Sequence, residues 1–195
     1  MHGLINRTIQ LFVTNTQGAD AWRRVARAAG LPFTDFEGMM RYKEQYTPRV
    51  LEAATEVLGR DRAELLEDIG TFIVSDAAFE PVRRLLRFGG IDFVDFLHSL
   101  DDLHERVRLA VSDLVLPRVE LRAHAAGQFS LICQAPVEGY GHVMMGLLRA
   151  MADDYGALVL LEHLGNREGA EVLSIRLVEA DFAEGRRFEL GASVA

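Results

Sequence analysis

Leu116-Pro117-Arg118-Val119-Glu120-Leu121-Arg122-Ala123, and after Gly127 the run Phe129-Ser130-Leu131-Ile132-Cys133, mark the point where this 195-residue chain changes its periodicity. Val119 to Ala123 alternates roughly between apolar and polar residues, as a strand with one buried face does, and the second run resumes after a glycine. Upstream the apolar spacing is three and four. Leu4, Ile5, Ile9, Phe12 and Val13 predict an amphipathic helix over 3–15, closed by Asn15-Thr16-Gln17-Gly18. Trp22, Val25, Ala26 and Ala29 predict a second over 19–29, and residues 31–47, with Pro32, Thr34, Asp35 and Gly38, read as a loop. Pro48 is placed to open the next helix, where its missing N–H costs nothing, and Gly59 to end it. Asp61 with Glu64 approximates a capping box for a helix bearing Leu65, Leu66, Ile69, Phe72 and Ile73. A shorter helix over 80–87 stops at Gly89-Gly90, and a long one is predicted across 91–114, stopped by Asp113 to Pro117. Downstream, Val143, Leu147, Leu148 and Met151 predict a helix over 138–154. Leu158–Leu164 and Glu171–Val178 follow as strands around the polar turn Gly165–Gly169. Helices first, then strand–strand–helix–strand–strand, is an α+β order: an N-terminal helical part followed by one antiparallel sheet with a packed helix. From residue 180 the pattern reads as a loosely attached tail.

Composition narrows the function classes. The formal net charge of −8 argues against broad, non-specific nucleic-acid binding. No apolar run approaches the ~20 residues that span a bilayer, and the N-terminal residues lack a signal-peptide pattern. The single cysteine, Cys133, excludes an intramolecular disulfide framework and fits a reducing compartment. The expectation is a cytoplasmic protein.

One residue stands out within 91–114. Phe93, Leu97, Leu100, His104, Val107 and Val111 follow at spacings of four, three, four, three and four, which gathers them on one side of a helix. His104 thus lies in an apolar stripe, and an inward imidazole edge needs a partner. A metal is one, since neutral imidazole is a common ligand of haem iron. A backbone carbonyl or water is the other, and a lone histidine on an apolar face is usually a core residue of that kind. No HExxH, CxxC or close His/Asp/Glu cluster suggests zinc. Nor is there a nucleophile–base pair, phosphate loop or paired-carboxylate constellation, so no enzyme is expected.

Several segments, in order, resemble the H-NOX (haem–nitric oxide/oxygen binding) family, related to the haem domain of soluble guanylate cyclase. They are His2-Gly3-Leu4-Ile5-Asn6-Arg7-Thr8-Ile9, Ala53-Ala54-Thr55-Glu56-Val57-Leu58-Gly59, Glu64-Leu65-Leu66-Glu67-Asp68-Ile69-Gly70, residues 96–107 around His104, Leu116-Pro117 and Gly146-Leu147-Leu148. The resemblance covers the chain to about residue 180. It implies a single domain over 1–180, with a distal helical part (1–60), a proximal part containing the sheet (61–180), and a C-terminal tail (181–195). It also implies a haem b held through His104 as the iron ligand, with Ile5, Phe72 and Ile73 on the distal or flanking wall and Pro117 on the proximal side. Without the resemblance, these four are ordinary core residues.

One departure matters. The family holds the haem propionates through a Tyr-x-Ser-x-Arg motif, and counting back from Gly146 places Cys133, Ala135 and Val137 there, so the donors, including the arginine, are missing. Cys133 reads more readily as a small buried hydrophobe than as a thiolate ligand. The same count places Val143 at the family's distal-tyrosine position, which favours nitric oxide over oxygen. The resemblance therefore implies a nitric oxide sensor with a separate effector, a histidine kinase or a cyclic-dinucleotide enzyme. The alternatives are a haem-independent H-NOX-like signalling or interaction module, or a binder of another tetrapyrrole or apolar ligand.

Overall fold

The computed structural model describes residues 2–112, 114–135 and 137–188, so Asp113 and the last seven residues of the expected tail lie outside the described residues. The described residues form two compact units that part between Ile69 and Gly70. The chain is α+β, as its periodicity predicts.

The first unit is helical. It contains α1 (Gly3–Gln17), α2 (Ala19–Ala28), α3 (Tyr46–Leu58) and the start of α4 (Arg62–Ser75). His2 caps α1 through its Nδ1, which accepts the Leu4 N–H at 3.2 Å. Ile9, Phe12 and Val13 of α1 are buried, as are Trp22 and Val25 of α2 and Val50, Leu51 and Ala54 of α3. The loop over 31–45 is tied down by aromatic packing. Phe33 and Phe36 both pack on Tyr42, and Trp22 Nε1 donates to the Thr34 carbonyl at 2.7 Å. Gln10 serves both ends of its amide, donating to Asp35 Oδ1 at 2.6 Å and accepting the Phe36 N–H at 2.8 Å. The α3 helix begins two residues before Pro48, which occupies its third position. That is still the first turn, where an N–H has no intrahelical acceptor, so the proline is tolerated without opening the helix. Asp61 caps α4 by accepting the Ala63 N–H at 2.8 Å.

The second unit holds the rest of α4, a 3-10 turn at Ala77–Phe79, α5 (Glu80–Arg87), α6 (Phe93–His98), α7 (Leu103–Ala110), β1 (Arg118–Ala125), β2 (Gln128–Gln134), α8 (Tyr140–Tyr155), β3 (Leu158–Arg167) and β4 (Ala170–Glu179). The sheet is antiparallel with strand order β1-β2-β4-β3. Phe129, Leu131 and Cys133 of β2 share one buried face with Leu173 and Ile175 of β4. Met144, Leu148 and Met151 of α8 join them in one core, with Phe93, Phe96, Leu97, Leu100 and Leu103. Alternation in β2 and β4 against a three-to-four period in α8 is what lets a sheet and a helix share this interior.

The long helix predicted over 91–114 is two short helices. The chain turns through Ser99–Asp102, held by bonds of shorter reach such as Leu100 N–H to Leu97 O and Leu103 N–H to Leu100 O, both 3.1 Å. The apolar stripe survives the break only in part, because Leu103 joins the core at the start of α7 while His104 beside it is half-buried.

The segment expected to hang loosely after residue 180 makes specific bonds over 183–187. The Ala183 N–H donates to the Gly156 carbonyl and the Arg186 N–H to the Asp154 carbonyl, each at 3.0 Å. Gly156, at φ +77°, ends α8, and a Cβ there would overlap the Ala183 carbonyl oxygen. Only a glycine lets the strand of tail lie this close.

Candidate functional site

His104 is the second residue of α7, between core-facing Leu103 and exposed Glu105. Its Nδ1 is buried and has no hydrogen-bond partner among the described residues. The usual fate of a core histidine, a bond to a carbonyl, is therefore not met at that atom, and an unsatisfied buried polar group costs on the order of 1–3 kcal/mol. The second unit also holds Phe72 and Ile73, neighbours on α4. Phe72 is buried against Phe79 at 5.4 Å between ring centroids, and Ile73 is half-buried. Pro117 is half-buried at the entrance to β1, after buried Leu114 and exposed Val115. Pro117 immediately precedes β1, whereas His104 lies at the N-terminal end of α7. Ile5 belongs to the other unit, half-buried on α1 beside buried Asn6.

The three positions read as replacing the propionate donors offer no charge. Cys133 is 1% exposed on the inner face of β2, and burial, with Glu171 nearby, pushes its thiol up to about 12. It is a small buried side chain of the apolar core. Ala135 and Val137 are half-buried after the strand. Tyr140, the first residue of α8, has its hydroxyl pushed well above the usual range by burial and then by Cys133.

The polar group at this end of the sheet is a carboxylate that sequence reading did not single out. Glu171 of β4 accepts the Gly139 N–H on Oε1 at 2.7 Å and the Gly141 N–H on Oε2 at 2.9 Å, so it caps α8 from a distant strand. Oε2 also lies 3.0 Å from His163 Nε2. The Gly165 N–H donates to His163 Nδ1 at 3.1 Å, so that nitrogen carries no proton and Nε2 is the donor to Glu171. His142 stacks on His163, 4.2 Å between centroids and nearly parallel. Burial works to raise the Glu171 carboxyl, but the bonds from His163, Gly139 and Gly141 outweigh it and hold the group below the usual range.

A second buried carboxylate organises the opposite end of α8. Asp154 is 1% exposed, and its Oδ1 takes Arg83 Nε at 2.9 Å and Nη2 at 2.8 Å. Arg87 Nε lies 3.5 Å from Oδ2, and the Arg87 guanidinium sits 3.8 Å over the Tyr155 ring. Both arginines come from α5 and pack into this cluster around Asp154. Among the described residues no group of three or more metal-ligating side chains forms, and no helix is long and apolar enough to cross a membrane.

Known proteins share this chain's sequence pattern and fold. A model of the haem-NO-binding family matches residues 2–163. Soluble guanylate cyclase gcy-31 of Caenorhabditis elegans is 25% identical over 154 residues, 79% of this chain and 22% of that protein. Soluble guanylate cyclase 89Da of Drosophila melanogaster is 21% identical over 158 residues, 81% of this chain and 24% of the relative. The chain spans about a quarter of the length of these relatives. Among solved structures, an unliganded Fe(II) H-NOX protein variant from K. algicida superposes with a TM-score of 0.77 at 18% identity, covering 92% of this chain and 97% of its own. An oxygen-binding H-NOX domain related to soluble guanylate cyclases gives 0.70 at 18% identity, over 96% of this chain and all of its own. With a family match over most of its length and the fold to accompany it, the chain belongs to the haem-NO-binding (H-NOX) family.

Proposed function

We propose that the chain is a haem-based gas sensor, with His104 as axial ligand of a ferrous haem b and nitric oxide as the favoured gas. The observation that carries the reading is the buried Nδ1 of His104, which has no hydrogen-bond partner among the described residues, in a member of this family. Haem would supply an open axial position for a diatomic gas. Everything else belongs to the chain. His104 would hold the iron from a helix of eight residues, joined at its N-terminal end to a four-residue turn and anchored inward by Leu103 and Val107. A change in the load on one imidazole is therefore borne by a small element, the kind that can shift between two positions. Ile5, Phe72, Ile73 and Pro117 would be the apolar wall, and the domain would signal in the cytoplasm to a separate effector, a histidine kinase or a cyclic-dinucleotide enzyme. It would sense and not catalyse. The domain assignment of 1–180 with a tail over 181–195 is part of the same proposal.

A second reading, a haem-independent H-NOX-like signalling module or a binder of another apolar ligand or tetrapyrrole, is favoured by the neutral, buried Cys133 and by Ala135 and Val137, which offer a propionate no donor side chain. The test is reconstitution with haem, recording the absorption spectrum of the ferrous protein with and without nitric oxide, for wild type and His104→Ala. A Soret band that is lost or displaced in the variant is expected. No band in wild type would leave the second reading standing, and a band indifferent to the substitution would remove His104 as ligand.

A further inference from the structure

Arg106 lies two residues beyond His104 on α7, so at about 100° per residue the two side chains leave the helix on nearly opposite sides. Its guanidinium turns back to the ends of the two preceding helices. Nη1 donates to the Leu85 carbonyl at 3.1 Å, near the C-terminus of α5. Nη2 donates to the Ser99 carbonyl at 2.9 Å and to Ser99 Oγ at 3.1 Å, at the C-cap of α6. Carbonyls in a last helical turn have no partner within the helix and carry the negative end of its dipole, so one cation completes two helix termini. The approach is built into the backbone. A Cβ on Gly89 would overlap Ser99 Oγ and come within 3.0 Å of Arg106 Nη1, so the chain between α5 and α6 must be bare there.

We propose that Arg106 is a positioning residue for His104: by capping α5 and α6 together it fixes the rotation of α7 about its own axis, and so fixes where the imidazole on the other side is aimed. Leu103 and Val107 set how deeply α7 sits, but apolar contacts are non-directional and do not choose a rotation. Three directed bonds from one planar fork do. The proposal rests on His104 being the iron ligand, and its test is arranged so that either idea can fail alone.

The test uses the full chain as wild type, Arg106→Met, Arg106→Lys and His104→Ala. Amide hydrogen exchange is measured haem-free and haem-loaded, and the iron–histidine stretch of the ferrous protein by resonance Raman. In Arg106→Met, exchange over 103–110 should rise by tenfold or more while β2 and β4 keep their protection. The iron–histidine band should broaden or shift, and Arg106→Lys should recover part of both. Unchanged exchange in α7, or a rise spread evenly over α7 and the sheet, would overturn the positioning role. So would a loosened α7 with an unaltered iron–histidine band. Loss of all haem signal in wild type, or a band indifferent to His104→Ala, would instead defeat the ligand reading, while exchange would still report whether Arg106 orders α7.

Discussion

Asp154→Asn offers a direct measure of how much the second unit depends on its buried charge. The carboxylate is almost wholly buried and takes two nitrogens of Arg83 within 2.9 Å, and Arg83 is itself only 5% exposed. Stranding one member of a buried pair by removing the other costs about 3–5 kcal/mol, and Arg83 would keep only the half-exposed Glu80, 3.2 Å from its Nη1, as a charged partner. Asparagine keeps the shape and one neutral acceptor, which places it near the lower end, about 3 kcal/mol, and for a chain of this size that is a Tm drop of roughly 6–12 °C. Arg186, half-exposed and 3.7 Å away, is the internal control, since exposed pairs contribute about 0–1 kcal/mol. The assay is urea unfolding followed by circular dichroism, on Asp154→Asn, Arg186→Ala, Arg83→Met and the double variant Arg83→Met/Asp154→Leu. Replacing both charges by apolar groups should recover only part of the loss of the worse single variant, because Arg87, 3.5 Å from Oδ2, still loses its carboxylate. A cost below about 1 kcal/mol for Asp154→Asn, the value of a surface pair, would refute the reasoning.

Two further outcomes follow from the same unit. The Glu171 carboxyl is held low in the folded protein, so its stabilisation is complete above the ordinary glutamate value of 4.5 and fades as pH falls through its folded value. Glu171→Gln should lower stability at pH 7 and flatten the acid limb of the stability profile; parallel acid limbs for wild type and variant would contradict this. Cys133, with its thiol raised to about 12, should react with an aromatic disulfide reagent far more slowly in the native protein than in urea. Equal rates would mean that the strand does not bury it.

What could be read in the sequence was what is written locally. The alternation in 119–133, the Asp61 cap and the three-to-four spacing in α8 each carry their own signal, and the elements appear with boundaries displaced by a few residues. The break between α6 and α7 does not carry one. Ser99-Leu100-Asp101-Asp102 suits a helix, and the apolar stripe runs through it undisturbed. What favours the turn is Arg106 reaching back seven residues to Ser99 and twenty-one to Leu85, across a gap opened by Gly89. Glu171 was invisible for a similar reason, since its partners Gly139 and Gly141 lie thirty or more residues earlier. A trace existed in the two glycines that flank Tyr140 at the start of a helix without a Ser, Thr, Asp or Asn cap. His104 was legible as an inward histidine, although its helix is shorter than its stripe implied.

The contact between the end of α8 and the residues that follow the sheet has a mechanical consequence. The Ala183 and Arg186 amides grip the Gly156 and Asp154 carbonyls, the Arg187 carbonyl accepts from Arg83 at 3.4 Å, and the Phe188 ring lies 5.1 Å from the Arg87 guanidinium. A pull applied to the chain beyond Phe188 would therefore load α5 and the C-terminal turn of α8 before it reached β4. Tension would be delivered to the two helices that frame Asp154, and the sheet would feel it last.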